Sequence, residues 1–108
     1  MGNEERIKQL ELFHREDPDD PFIIYALATE HLQINKHKSK ELFDLLLSKH
    51  PKYIGTYYHA AALYSELGDL QKAEQIYQAG IDMAESLNDH HALKELKSAY
   101  LNFQFENE

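Results

Sequence analysis

The sequence predicts an all-α fold, a solenoid of stacked antiparallel helical hairpins with a capping helix at each end. Apolar residues recur at steps of three and four along the chain, which is the period of a helix with one buried face. The sequence contains no run in which β-branched and polar residues alternate as they do in a half-buried strand. One apolar pattern also occurs twice, about 33 residues apart, as in repeat proteins. We therefore expect six helices and no sheet.

Residues 54–87 carry the clearest copy of this pattern, which predicts a helix, a tight turn and a second helix. The two apolar faces consist of Tyr57, Ala60, Ala61, Tyr64 and Leu67, and of Ala73, Ile76, Tyr77, Gly80, Ile81 and Ala84. Between them, Gly68 can adopt the left-handed conformation that ends a helix. Because a glycine inside a helix costs about 1 kcal/mol relative to alanine, Gly80 indicates a close approach of two backbones.

Residues 21–53 carry a weaker copy of the same pattern. Ile24-x2-Leu27-Ala28-x2-His31 matches Tyr57-x2-Ala60-Ala61-x2-Tyr64 with a shift of 33 residues, and Ser39-x3-Phe43 matches Ala73-x3-Tyr77 with a shift of 34. The one-residue difference falls in the turn, where Asn35 is expected to take the left-handed role of Gly68. Asp20 before Pro21 predicts the N-terminus of the first helix in this copy. The sequence thus contains two repeats, 21–53 and 54–87.

Two further helices are predicted at the ends of the chain, at 3–15 and 89–105. The first carries Ile7, Leu10 and Phe13 at helical steps, and Asn88-Asp89 provides an N-cap for the second. The apolar face of the second comprises Ala92, Leu93, Leu96, Ala99, Tyr100 and Phe103. A stack of repeats exposes an apolar face at each end, and terminal elements must cover it. We therefore expect both helices to cap a single domain, 1–108.

Composition excludes several classes of partner. Eleven Lys and Arg residues against nineteen Asp and Glu residues give a net charge of −8 at pH 7, so the chain repels nucleic acid and anionic membranes. No apolar run is long enough to span a membrane, and Arg6 stands where a myristoylation signal needs Ser or Thr. There is no cysteine. We expect a cytoplasmic protein.

No motif predicts an enzyme, a metal site or a cofactor. The chain has seven histidines, but His90 and His91 are adjacent and point about 100° apart on a helix, and no HExxH spacing occurs. No serine lies in a Gly-x-Ser-x-Gly elbow, and four scattered glycines cannot form a phosphate-binding loop.

The spacing of apolar residues in 54–87 resembles the tetratricopeptide repeat. Pro51, at the end of the first repeat, stands where this family usually has proline. The run 20–28, together with Tyr57-Tyr58 and Gly80-Ile81, is similar to small bacterial proteins made of two such repeats. The resemblance implies a right-handed superhelix of helical hairpins, in which the first helix of each hairpin lines a groove that binds peptides.

Transferred residue by residue, the resemblance predicts the lining of this groove. The expected lining is Tyr25, Thr29, Leu32 and Gln33 from the first repeat and Tyr58, His59, Ala62, Ser65 and Glu66 from the second. These residues would face Leu93, Leu96 and Tyr100 if the last helix lies alongside. One branch of the family clamps C-terminal carboxylates with Lys, Arg and Asn. The positions of this chain that match the clamp hold Tyr25, Thr29, His59, Asp89 and Leu93. Binding of C-terminal carboxylates is therefore not expected.

We expect an adaptor that binds a protein or peptide segment in a concave aromatic groove. The alternative is a homo-oligomerisation module whose groove is filled by its own last helix. The basic run at 36–40 allows two interpretations, a solvated helix start or a docking patch for an acidic segment such as residues 106–108 of another copy.

Overall fold

A computed structural model describes residues 2–108 as six α-helices. They are α1 (Gly2–Glu16), α2 (Pro21–His31), α3 (Lys36–Lys49), α4 (Gly55–Glu66), α5 (Leu70–Ser86) and α6 (His90–Glu106). No strand occurs among these residues, and the predicted all-α fold class is confirmed. The chain forms two compact units, Met1–His50 and Pro51–Glu108, and each holds three of the helices.

In the first unit, α2 packs against both α1 and α3. The buried apolar residues of this unit are Leu10, Ile24, Ala26, Leu27, Ala28, Leu42, Phe43 and Leu46. Phe13 of the predicted α1 face is exposed instead. The last turn of a helix leaves carbonyl groups without helical donors. Ser39, which is buried, supplies one such donor because its hydroxyl donates to the Ala28 carbonyl at 2.6 Å and so joins α3 to α2.

Asp20 begins α2 as predicted. Its carboxylate accepts a hydrogen bond of 3.0 Å from the Phe22 N–H, and Pro21 occupies the first turn. This cap satisfies one of the N–H groups that a helix start leaves unpaired. The predicted cap is therefore confirmed.

The prediction for Asn35 is wrong. Its φ is −146°, and its side-chain oxygen accepts from the Lys38 N–H at 3.1 Å, which makes it the N-cap of α3. No left-handed residue follows α2. The connection to α3 is held instead by the Ile34 and Asn35 N–H groups, which both donate to the His31 carbonyl. Asn35 therefore starts the next helix and does not end the previous one.

Two turns between helices of the second unit have the same conformation, Leu67-Gly68-Asp69 and Leu87-Asn88-Asp89. Gly68 has φ +90° and Asn88 has φ +56°, both in the left-handed region. The N–H groups of the left-handed residue and of the aspartate bond back to the helix that is ending, at 2.9–3.1 Å. Each aspartate then caps the next helix, Asp69 at the Lys72 N–H and Asp89 at the Ala92 N–H. The predicted roles of Gly68 and Asp89 are confirmed, and Leu67 is exposed because it lies past the end of α4.

In this second unit, α5 packs against α4 on one side and α6 on the other. Gly80 permits this, because a Cβ there would lie 2.6 Å from Tyr57 Cβ and 3.2 Å from Leu96 Cδ1. Tyr57 is in turn anchored by its hydroxyl, which donates to the Pro51 carbonyl at 2.6 Å. The close approach predicted at Gly80 is confirmed.

We expect Gly80→Ala to destabilise the protein although alanine favours a helix by about 1 kcal/mol. The new methyl group would overlap the stiff base of the Tyr57 side chain, and overpacking of this kind costs about 1–3 kcal/mol. Denaturant unfolding would measure the change, with Ala79→Ser at the exposed neighbouring position as control. An increase in the free energy of unfolding would show that α4 and α5 can separate without cost.

Candidate binding groove

A groove separates α4 from α6 in the second unit. Both helices pack mainly against α5 and approach each other only over a short stretch. The space between them forms two adjoining cavities of about 410 and 290 Å³, which share Tyr58, Ala99 and Asn102. We call the two together the α4–α6 groove.

The two ends of the α4–α6 groove differ in charge. The larger cavity is also lined by His91, Lys94, Glu95 and Ser98, and we call it the lysine end. The smaller cavity is also lined by Ala62, Ser65, Glu66, Tyr77, Phe103 and Glu106, and we call it the acidic end. His91 Nε2 lies 3.5 Å from the Glu95 carboxylate one turn along α6.

Tyr58 lies where the two cavities meet. Its neighbour Tyr57 is buried in the core, and one step along a helix turns a side chain by about 100°. Tyr58 therefore points out of the core and is 45% exposed. Its ring meets the His59 ring edge-on, with the centroids 5.5 Å apart.

Three aromatic rings pack together beside the groove. The Tyr77 ring lies 5.4 Å from Phe103 and 5.8 Å from Tyr100, centroid to centroid. Burial, together with the neighbouring Tyr58 and Glu106, raises the pKa of Tyr77 above its usual value of 10.0, so its hydroxyl is neutral at pH 7. Tyr77, which borders the acidic end, is therefore uncharged there.

Three of the predicted groove residues on α4 lie together in the structure. Tyr58, Ala62 and Glu66 all border the acidic end, at spacings of four residues on one helix face. His59 borders neither cavity. Burial lowers the pKa of His59, so its ring is neutral at pH 7.

Two residues predicted on α6 belong to the packing against α5. Leu96 is only 2% exposed, because its methyl group packs on Gly80, and its assignment to the groove lining is wrong. Tyr100 borders neither cavity, and its hydroxyl donates to the Glu74 carboxylate on α5 at 2.9 Å.

The groove residues predicted from the first repeat lie in the unit Met1–His50. Tyr25 is half-buried on α2, and Gln33 is exposed just past its end. Thr29 is half-buried, and its hydroxyl donates to the Ala26 carbonyl of its own helix at 3.0 Å. The hydroxyl proton of Thr29 therefore takes part in a hydrogen bond within α2.

The polar lining from α6 was missed by the sequence analysis. His91, Lys94, Ser98, Asn102 and Glu106 recur at steps of three and four, and Glu95 lies one turn from His91, which places all six on one helical stripe. This stripe borders the apolar face and is a signal that the sequence contains. It went unused because only apolar residues of α6 were considered, both for the cap and for the groove lining.

The crystal structure of a tetratricopeptide repeat domain protein from Salinibacter ruber is similar to this chain, with 40% sequence identity and a TM-score of 0.75. The match covers 79% of this chain and 96% of that one. The chain belongs to the tetratricopeptide repeat family. A solution NMR structure of a tetratricopeptide repeat domain protein from the same organism matches with 41% identity and a TM-score of 0.76, over 81% of this chain and 89% of that one.

A more distant likeness shows the tetratricopeptide repeat fold alone. The crystal structure of MamA has 16% identity and a TM-score of 0.69, over 96% of this chain and 70% of that one. No protein-family model matches the chain, and neither does any curated protein. The tetratricopeptide repeat is a protein-interaction fold and is generally non-catalytic.

Residues 2–108 offer neither a cluster of metal ligands nor a membrane-spanning helix. Within this range, no three or more His, Asp or Glu side chains are grouped so that they could hold a metal ion. None of the described helices is both long enough and apolar enough to cross a bilayer.

Proposed function

We propose that this tetratricopeptide repeat protein is an adaptor that binds a peptide or protein segment in the α4–α6 groove. The observation that supports this most directly is Tyr58, a large ring left 45% exposed at the junction of two cavities. Tyrosine combines a broad apolar surface with a hydroxyl and loses little rotamer freedom on binding, which is why it is frequent in binding hot spots.

The rest of the groove lining suits a peptide. Ser65, Ser98 and Asn102 provide side-chain donors and acceptors for a peptide backbone, and Ala62 and Ala99 leave room for its side chains. Both cavities are open and shallow, unlike the enclosed pockets that bury most of a small ligand. A flexible segment lying along the groove fits this surface better than a small molecule.

We expect Tyr58→Ala to weaken binding of peptides selected on the wild-type protein from a random display library. A hot-spot tyrosine should contribute about 2 kcal/mol or more to binding. The free energy of unfolding should change by less than about 1 kcal/mol, because the ring is half-exposed. Fluorescence anisotropy with a labelled peptide and thermal unfolding measure the two quantities.

Phe105→Ala is the matched control, since Phe105 is a 64% exposed ring on α6 that borders neither cavity. It should leave both binding and stability almost unchanged. If Tyr58→Ala costs more than about 3 kcal/mol of stability, Tyr58 is a packing residue. If the variant keeps its peptides at full affinity, the groove is not the binding site.

Homo-oligomerisation is the second candidate function. Leu101 and Phe105 are one turn apart on α6 and are 53% and 64% exposed, so they offer an apolar stripe to a second copy. Within the chain, α6 forms one wall of the α4–α6 groove. The particle mass at micromolar concentration separates the two candidates, because a dimer favours the second.

A further inference from the structure

We propose that the outer face of α6 binds the same face of a second copy of this chain, with the two α6 helices antiparallel and Leu101 on the two-fold axis. This inference rests on the second candidate function, homo-oligomerisation, and adds the surface, the orientation and the register of the contact. The surface consists of five exposed residues, which we call the outer stripe: Lys94, Lys97, Leu101, Phe105 and Glu108.

The outer stripe points away from the core of its own unit. Helix α6 packs inward through Leu96 and Phe103, which are 2% and 7% exposed. Because successive residues on a helix are turned by about 100°, Leu101 and Phe105 lie about 140° and 180° around the helix from Leu96. They are one turn apart, so together they form one apolar surface that the unit Pro51–Glu108 leaves largely uncovered.

The charges along α6 are separated by sign. Both of its lysines, Lys94 and Lys97, lie in its first half, and no basic residue follows them up to residue 108. Glu106 and Glu108 lie at and just past its end, where the helix dipole adds partial negative charge. The one acidic residue in the first half, Glu95, lines the α4–α6 groove and lies outside the outer stripe. An antiparallel pair of α6 helices therefore brings opposite charges together, whereas a parallel pair brings like charges together.

The spacing of the outer stripe is symmetric about Leu101. Lys97 and Phe105 lie four residues before and after it, and Lys94 and Glu108 lie seven residues before and after it. A two-fold axis at Leu101 therefore places Phe105 of one copy at the level of Lys97 of the other, and Glu108 at the level of Lys94. An isologous dimer requires a surface that matches itself in this way. Charge and spacing together thus identify a second copy as the occupant of the outer stripe.

Each pair in this register is chemically favourable. Leu101 meets Leu101 of the other copy on the axis, where both lose contact with water. The apolar stem of Lys97 packs along the Phe105 ring, and its ammonium group makes a cation–π contact. Lys94 and Glu108 form an exposed ion pair at each end of the contact. A register that pairs Leu101 with Phe105 instead moves both lysines past residue 108 of the other copy, so that their charges are not used.

The contact is small, because each copy contributes one helix to it. Interfaces that bury less than about 1,200 Å² are typical of weak and transient complexes, so we expect a reversible dimer whose population depends on concentration. Leu101 and Phe105 border neither cavity of the α4–α6 groove, and Lys94 lies at the edge of both surfaces. The dimer therefore leaves the groove lining around Tyr58 in place.

The first test is analytical ultracentrifugation over a concentration series in the micromolar to millimolar range. Phe105→Ala should weaken the dimer about tenfold or more, because it removes a ring from both halves of the contact. Tyr58→Ala, which changes a ring of the groove, should leave the dimer affinity within about twofold of the wild-type value.

A charge exchange tests the antiparallel orientation. Lys94→Glu should weaken the dimer about fivefold, and the further change Glu108→Lys should return its affinity to within about twofold of the wild-type value, because the ion pair is restored with its charges exchanged. Lys72→Glu makes the same charge change at an exposed position of α5 and should have little effect. All three positions are exposed, so every variant should melt near the wild-type temperature.

Cysteine cross-linking tests the register, since the chain has no cysteine of its own. Leu101→Cys places two thiols on the axis and should form a disulfide-bonded dimer under mild oxidation. Phe105→Cys places its two thiols about 12 Å apart along the helix axes, beyond the reach of a disulfide, and should cross-link about tenfold more slowly.

Two outcomes would overturn the inference in distinguishable ways. If the wild-type chain stays monomeric over the whole concentration series, the homo-oligomeric candidate and the outer stripe both fail. If a dimer forms that Phe105→Ala does not weaken, that the charge exchange does not restore, or that Tyr58→Ala disrupts, the chain is homo-oligomeric and the proposed pairing of α6 helices is wrong. Equal cross-linking of Leu101→Cys and Phe105→Cys would likewise contradict the register.

Discussion

A chain that ends at Asn88 is expected to lose cooperative folding of the unit Pro51–Glu108. The deletion removes α6 and with it the buried side chains of Leu96 and Phe103, and it exposes the face of α5 around Tyr77. Each large apolar side chain contributes roughly 1.5–3 kcal/mol when fully buried. The loss is comparable with the whole stability of a small domain, about 5–15 kcal/mol. Near-ultraviolet circular dichroism and light scattering should show a molten or aggregating chain.

A chain that lacks only Glu108 is the matched control, because this residue is exposed and lies beyond α6. It should melt at the temperature of the full chain. The role of α6 as a cap would be refuted by a shortened chain that stays monomeric and melts cooperatively within a few degrees of the control.

Leu96→Ala is expected to cost about 2–5 kcal/mol of unfolding free energy, the usual range for a buried leucine. Leu96 is 2% exposed and packs on Gly80, which has no side chain of its own to fill the space that Leu96 would leave. Denaturant unfolding with an unchanged m-value would report the loss as a change of stability alone.

Leu101→Ala provides the comparison on the same helix. Leu101 is 53% exposed, so its truncation should change stability by about 0.5 kcal/mol or less. A small effect at Leu96 together with loss of peptide binding would restore the sequence-based assignment of Leu96 to the groove. A large effect at Leu96 with peptide binding retained per folded molecule would support its place in the core.

The turns show how far local signals extend. Asp20 and Asp89 were recognisable as helix caps because a cap depends on residues within one turn of it. The left-handed conformation was assigned to Asn35 but is found at Asn88. Asparagine is suited both to cap a helix start and to end a helix, and the backbone path through the connection decides between them.

The lining of the groove could be predicted from the sequence only in part. Tyr58 could be placed outside the core from its position next to Tyr57, because successive residues on one helix have a known angle between them. The assignment of Leu96 failed because it needed the rotation of α6 about its own axis relative to α5. That rotation depends on the close packing at Gly80, which involves residues from three helices.

The amino-acid sequence by itself determined the helical class, the order of the helices, the two copies of the repeat and the residues that begin α2 and α6. These follow from apolar periodicity and capping, which act over a few residues along one helix. Only the tertiary structure decided that the polar stripe of α6 faces α4 and that Glu66 and Glu106 border one cavity. Two helix ends that are distant in sequence come together only when both helices pack on α5, and the shape of that packing depends on side chains from all three.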